Sequence, residues 1–298
     1  VTPLRIPPAF AARAPRVLGP ESRPWLAALP GLAEKYARLW SLTPEGEAMH
    51  GFVGVVQPAR RADGTPVALK LGWVEEESRY EPLALSTWAG RGSVLLLESA
   101  PDEGVMLLER LDHTRTLDDE PLLEAVEVMS GLARRLAVPA PPELARTLRG
   151  EAERLLEYLP ETWRELGEPF PRKHLDAAIE VCRDLGPSAG RALVNEDLHY
   201  QNVLAGQREP WLVIDPKPLA GDLEYGVFSL LWNRFEQSIL DDKTAVTGLD
   251  AERVKAWTLV RSVENQLWFA EDLRDAGDLG DEGPSYESLT RLVSWALS

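Results

Sequence analysis

The sequence predicts an α+β chain in two lobes: a small antiparallel-sheet lobe over residues 1–110 and a mainly helical lobe over residues 111–298. Three observations lead there. At 298 residues the chain exceeds what one hydrophobic core usually serves. Up to about residue 110, short apolar runs bounded by turn residues read as strands. After Leu111 apolar residues recur at helical spacing, interrupted by a single pair of short strands. That asymmetry suits a bilobal enzyme with its site in the cleft between the lobes.

Roughly the first twenty residues, rich in Pro, Arg and Ala, are expected to run irregularly over the surface. From Arg23 to Trp40, the residues Trp25, Leu29, Leu32, Tyr36 and Leu39 recur at helical spacing. Phe52–Pro58 and Val67–Leu71 read as strands joined by a turn carrying Asp63-Gly64, a pair that favours tight hairpins. A helix is expected over Glu76–Ala89, then strands at Val94–Glu98 and Val105–Glu109. Helices are expected over Leu117–Ala137, over Pro142–Leu159 (its prolines suiting a helix start) and over Arg172–Leu185. Val203–Ala205 and Trp211–Ile214 form the hairpin, with Gly206 to Pro210 as its turn. Helices over Tyr225–Leu240, Ala251–Leu273 and Tyr286–Leu297 complete the chain.

Composition narrows the function. The balance of 32 basic against 48 acidic residues, net −16, argues against a nucleic-acid partner. An acidic surface can serve solubility alone or steer a polycationic small molecule. No apolar run is long enough to span a bilayer. The first residues lack the basic-then-apolar order of a secretory signal, and the lone Cys182 allows no intrachain disulfide, so a cytoplasmic location is expected. Four scattered histidines and one cysteine supply no zinc-ligand pattern.

The chemistry concentrates in Asn195-Glu196-Asp197-Leu198-His199-Tyr200-Gln201-Asn202 and, beyond the hairpin, Asp215. An acidic residue, an amide five positions on and a second carboxylate after a short strand match the needs of phosphoryl transfer from ATP. One group accepts or orients the acceptor hydroxyl, and two oxygen donors hold Mg²⁺ on the phosphates. Asp197 takes the first role, Asn202 and Asp215 the second. His199 reads as a structural loop residue. Lys217 could contact a phosphate or the acceptor, or pair with Glu196.

Upstream, Lys70 at the end of a strand could reach the α- and β-phosphates, with Glu81 in the next helix as its partner; a surface lysine and a helix glutamate are the plain alternative. Gly51 and Gly54 could let backbone amides approach phosphates or could serve a turn alone, and no P-loop pattern exists. The segment Leu107 to Leu111, with Glu109, could offer backbone groups to an adenine edge or be a plain linker. The acidic residues Asp241, Asp242, Glu264, Glu271, Asp272 and Asp275 would suit a cationic acceptor, though acidic helix faces are commonly only solvated.

At these residues the chain resembles the aminoglycoside phosphotransferases, relatives of the protein kinases that share their bilobal fold. Their catalytic loop commonly reads His-Gly-Asp-Leu-His-x-x-Asn, followed by a strand ending in Ile-Asp. Asp197 to Asn202 fits, and so does Val213-Ile214-Asp215. The streptomycin 6-kinase and hydroxyurea phosphotransferase branch is the closer likeness, through Ala62 to Lys70, Glu81 to Leu85 with Trp88-Ala89-Gly90, Leu107 to Leu111, Ile214 to Lys217 and Leu230 to Asn233.

The resemblance implies kinase-like roles for Lys70, Glu81, Asp197, Asn202 and Asp215, with ATP as donor and a small hydroxylated acceptor. Two departures stand out. Asn195-Glu196 replaces the usual His-Gly, placing a second carboxylate beside Asp197 that calls for a cationic neighbour; Lys217 or a guanidinium-bearing acceptor could supply it. Tyr225 is followed by Gly226 where the family often has Asp. The acceptor-side candidates are then Glu196, Lys217, Glu264 and Asp272. The leading expectation is an aminoglycoside kinase of the streptomycin type. A hydroxyurea or sugar-metabolite kinase keeps the chemistry with another acceptor, and a nucleotide-binding pseudokinase with a regulatory role is the reading of another class.

Overall fold

A computed structural model of the protein describes residues 4–236, 240–276 and 285–298, without the side chains of 275 and 276. The chain divides into two compact units, Val1–His113 with Ala205–Leu212, and Thr114–Leu204 with Val213–Ser298.

The first unit opens with two helices, α1 (Pro8–Val17) and α2 (Ser22–Leu39). Its strands are β1 (Leu42–Pro44), β2 (Met49–His50), β3 (Gly54–Arg61) and β4 (Pro66–Gly72). The helix α3 (Glu81–Trp88) precedes β5 (Leu96–Ala100) and β6 (Val105–Glu109). The sheet is antiparallel in the order β1-β3-β4-β6-β5, with β2 also pairing on β3. Its register sets Lys70 opposite Val56 on one side and Met106 on the other. Val55, Val67, Leu69, Leu71, Val105 and Leu107 pack with Phe10, Ala14, Leu29 and Tyr36 in one core.

The expectation of an irregular first segment is overturned by α1. Pro8 sits in its first turn, where a missing N–H costs nothing. Phe10 and Ala14, one helical turn apart, are fully buried, and the Phe10 ring meets Trp25 edge-on at 6.2 Å. A composition of Pro, Arg and Ala concealed a short amphipathic stripe. The helix expected from Glu76 starts only at Glu81, which leaves Pro82 in the first turn, where its missing N–H has no helical partner to lose.

In the second unit a strand β7 (Asp112–Thr116), which begins in the first, leads to α4 (Leu122–Leu136), α5 (Leu148–Glu165) and α6 (Arg172–Leu185). The strand β8 (Ala192–Asn195) comes next, then the hairpin strands β9 (Val203–Ala205) and β10 (Trp211–Val213), whose stretch Ala205–Leu212 belongs to the first unit, and β11 (Pro218–Gly221), which pairs antiparallel with β8. The helices α7 (Leu223–Trp232), α8 (Leu240–Thr247), α9 (Ala251–Ala276) and α10 (Tyr286–Ala296) follow.

Three expected elements shift. The helix α5 starts at Leu148, where the Thr147 side chain caps the N–H of Gly150 at 3.0 Å. The helix α4 starts at Leu122, after a 3-10 turn over Leu117–Asp119. The helix expected over Tyr225–Leu240 ends at Trp232, with Arg234 in the left-handed region at φ 50°; residues 237–239 lie outside the described ones. At the centre of the unit is α9, whose residues 257 through 267 are all buried. A helix buried all round is usually apolar. This one carries Thr258, Arg261, Ser262, Glu264, Asn265 and Gln266.

No described helix is long and apolar enough to cross a membrane.

Candidate active site

In the first unit, Lys70 on β4 meets Glu81 at the first turn of α3. The ammonium lies 2.7 Å from each carboxylate oxygen, and both side chains are almost wholly buried. Burying an ion pair is costly unless its geometry is good, so a bidentate contact here is a committed arrangement and not a surface accident. The glycines are accounted for structurally. The N–H of Gly51 donates to Gly54 O at 3.0 Å, closing the β2–β3 turn. A Cβ on Gly54 would stand 2.9 Å from Leu71 O, so only glycine lets β3 and β4 approach there. The Glu109 carboxylate accepts the N–H of Leu95 at 2.8 Å and Arg208 Nη2 at 2.6 Å, while its own N–H donates to Leu95 O. Arg110 and Leu111 follow it outside any strand.

In the second unit, the segment Asn195 to Asn202 leaves β8 and ends in a 3-10 turn, Tyr200–Asn202, immediately before β9. Each residue has a fixed place. Asn195 is buried, and its Oδ1 accepts the N–H of Asp197 and of Lys217, both at 3.1 Å. Asp197 is part-exposed. Leu198 and Tyr200 are buried, and the Tyr200 hydroxyl donates to Leu230 O at 3.1 Å. Asn202 Nδ2 donates to Asp197 O at 3.1 Å. The N–H of Ile214 donates to Asn202 O at 2.9 Å, which brings Asn202 next to the residue that precedes Asp215. Asp215 itself has φ 49°, a left-handed backbone that a non-glycine residue adopts rarely and mostly where function or packing demands it.

Beneath this loop lies Lys243, fully buried, with its ammonium on Arg234 O at 3.0 Å and 5.9 Å from the centre of the Tyr200 ring. Burial pushes its pKa down to about 8.

The structure brings two cations to Glu196 that were not among the expected ones. Arg146 and Arg261 stand against the carboxylate at 2.5 and 3.3 Å, and all three side chains are largely buried. Sequence reasoning missed both arginines; the one trace of them is a charged residue inside the apolar stripe of α9. Glu264, one turn along α9, is also buried against Arg154, so its carboxyl group too faces the protein. Asp272 is exposed. Glu271 accepts the Tyr158 hydroxyl at 3.3 Å and Asp241 the Trp295 indole N–H at 2.9 Å. The side chain of Asp275 lies outside the described residues.

Comparisons with known proteins agree on the family. The sequence profile described as "Aminoglycoside/hydroxyurea antibiotic resistance kinase" matches residues 39–273. A hydroxyurea phosphotransferase of Kitasatospora aureofaciens is 43% identical over 261 residues, 85% of this chain and 77% of the relative. A streptomycin 6-kinase of Streptomyces glaucescens is 39% identical over 286 residues, 90% of this chain and 92% of the relative. Among solved structures, the aminoglycoside phosphotransferase APH(4)-Ia superposes with a TM-score of 0.57 at 15% identity, covering 89% of this chain and 97% of that one. The choline kinase LicA of Streptococcus pneumoniae gives 0.58 at 13%, with the same coverage. At such identities the structures establish the fold alone, that of the protein-kinase-like phosphotransferases. The retained family sets the pseudokinase reading aside in favour of an enzyme. The chain belongs to the aminoglycoside/hydroxyurea antibiotic resistance kinase family and is an ATP-dependent small-molecule kinase.

Proposed function

We propose that this kinase moves the γ-phosphoryl group of ATP to a hydroxyl of an aminoglycoside of the streptomycin type. The observation that carries the acceptor class is the alignment with the streptomycin 6-kinase, which spans 286 residues and nearly the full length of both chains. Hydroxyurea is the second reading, favoured by the higher identity to the hydroxyurea phosphotransferase, 43% over a shorter match.

The residues take their roles from the chemistry of phosphoryl transfer, which is mostly positioning and charge neutralisation. The lobe over residues 1–110 binds the nucleotide: Lys70, held by Glu81, contacts the α- and β-phosphates, and the backbone after Glu109 meets the adenine edge. The lobe over residues 111–298 carries the catalytic hairpin and the acceptor site. Asp197 receives or orients the acceptor hydroxyl. The donor set suits Mg²⁺. With the Asn202 amide nitrogen committed to Asp197 O, its Oδ1 is left as an oxygen ligand, and Asp215 supplies a carboxylate. When bound, the ion neutralises charge on the β- and γ-phosphates. We assign Lys217 and Asp272 to the acceptor side. We keep Glu196 and Glu264 out of acceptor contact because their carboxylates are buried against arginines.

The test is ADP release from Mg·ATP with streptomycin, hydroxyurea and a simple sugar as separate acceptors. Turnover with streptomycin alone supports the first reading. Turnover with hydroxyurea alone replaces it by the second, and turnover with the sugar alone overturns both.

A further inference from the structure

Glu196 departs from the glycine that the family pattern leads one to expect, and it directly precedes Asp197. The structure engages each of its polar groups. The carboxylate takes Arg146 on Oε1 at 2.5 Å and Arg261 on Oε2 at 3.3 Å. The N–H donates to Lys217 O at 3.1 Å, and the carbonyl accepts the Ser229 hydroxyl at 2.8 Å. The two arginines are anchored in turn. Arg146 accepts the N–H of Ala220 on its own carbonyl at 2.9 Å. The Arg261 guanidinium lies 4.9 Å from the Tyr225 ring centre and 5.1 Å from that of Phe228. So the segment before α5, the residue before β11, and the helices α7 and α9 all converge on one residue.

We infer that Glu196, clamped by Arg146 and Arg261, is a positioning residue for phosphoryl transfer: it fixes the backbone from which Asp197 projects and touches neither substrate. The inference rests on Asp197 being the residue that orients the acceptor. Its physical basis is twofold. A buried carboxylate between two buried guanidiniums has one favourable place, since moving it leaves charges uncompensated in a poorly solvated interior. The next residue inherits that place, and misplacing a reacting group by about 1 Å can cost about 100-fold in rate. The same cations answer the repulsion that a second carboxylate beside Asp197 would otherwise cause. Asn195 works to the same end from the other side, through its bond to the N–H of Asp197.

Four variants separate this inference from the reading it rests on. Asp197→Ala tests the reading: wild-type turnover there removes Asp197 from the reaction, whatever Glu196 does. With Asp197→Ala inactive, Glu196→Gln is expected to lower kcat by about tenfold to a hundredfold while the KM values for ATP and for the acceptor stay within about twofold. Arg261→Lys, which keeps the charge but loses the fork, should fall between the two proteins. Because Glu196→Gln leaves two arginines without their carboxylate, Glu196→Gln/Arg261→Met is the second route; it removes one cation with the anion and should show native near-UV circular dichroism and the same low kcat. Wild-type kcat in that folded double variant overturns the inference. So does a raised acceptor KM at unchanged kcat in Glu196→Gln, which would make Glu196 a binding residue.

Discussion

Asn202 donates its side-chain amide to the main-chain oxygen of Asp197 at 3.1 Å, so the candidate metal ligand and the candidate catalytic residue are tied directly to each other. The bond orients the amide, leaving Oδ1 as the oxygen that can face a cation. Asn202→Ala removes both the oxygen and the tie. It is expected to raise the Mg²⁺ concentration for half-maximal activity by about tenfold or more and to lower kcat at saturating metal. A magnesium titration at fixed ATP reads both effects; an unchanged half-saturation point takes Asn202 out of the metal site.

Lys70 and Glu81 make the corresponding prediction for the nucleotide. Lys70→Met leaves the Glu81 carboxylate buried without its bidentate partner, which should cost on the order of 3–5 kcal/mol in stability. Lys70→Met/Glu81→Leu removes both charges and should regain most of that. Nucleotide binding should not return with it. Urea denaturation together with ATP titration separates the two effects, and recovery of ATP affinity in the double variant would make the pair purely structural.

How legible these residues were depends on how local their signal is. Asp197, Asn202 and Asp215 sit within one short stretch whose order and spacing carry the chemistry, and Lys70 with Glu81 shares a strand and the next helix. The clamp on Glu196 has no local signal: Arg261 is 65 residues away in sequence and Ser229 is 33. Only the packing of α7 and α9 against the loop brings them in. The same holds for β8 and β11, each four residues long, whose pairing joins segments too short to show a strand period. Long helices were legible because their stripes repeat over several turns. Even there the apolar stripe of α9 concealed that its polar residues are buried as well.

Phe10 tests α1, a helix that the composition of the first residues concealed. It is fully buried between α2 and the sheet and touches Trp25 and His50 through its ring. Phe10→Ala should destabilise by about 3–5 kcal/mol, the usual cost of emptying a buried aromatic site. A denaturation midpoint equal to that of the wild type would show that α1 adds nothing to the core.

Glu264 gives a pH dependence whose sign is fixed by burial. Desolvation raises its pKa from the ordinary 4.5 to about 7, outweighing the opposing Arg261 and Arg154 cations. The folded protein therefore holds a proton that the unfolded chain has already released between pH 4.5 and 7. Wherever the folded state binds more protons, stability falls as pH rises, here by on the order of 1 kcal/mol per pH unit within that window. Below it both states are protonated and the contribution is fully present; above it both are ionised and the loss is complete. Glu264→Gln cannot titrate, so this part of its pH dependence should vanish. The gap in urea midpoint between wild type and Glu264→Gln should thus shift in favour of the variant from pH 5 to pH 8. Parallel curves, or a shift toward the wild type, would mean that Arg154 and Arg261 keep Glu264 ionised throughout and that the α9 charges form a plain ion-pair ladder.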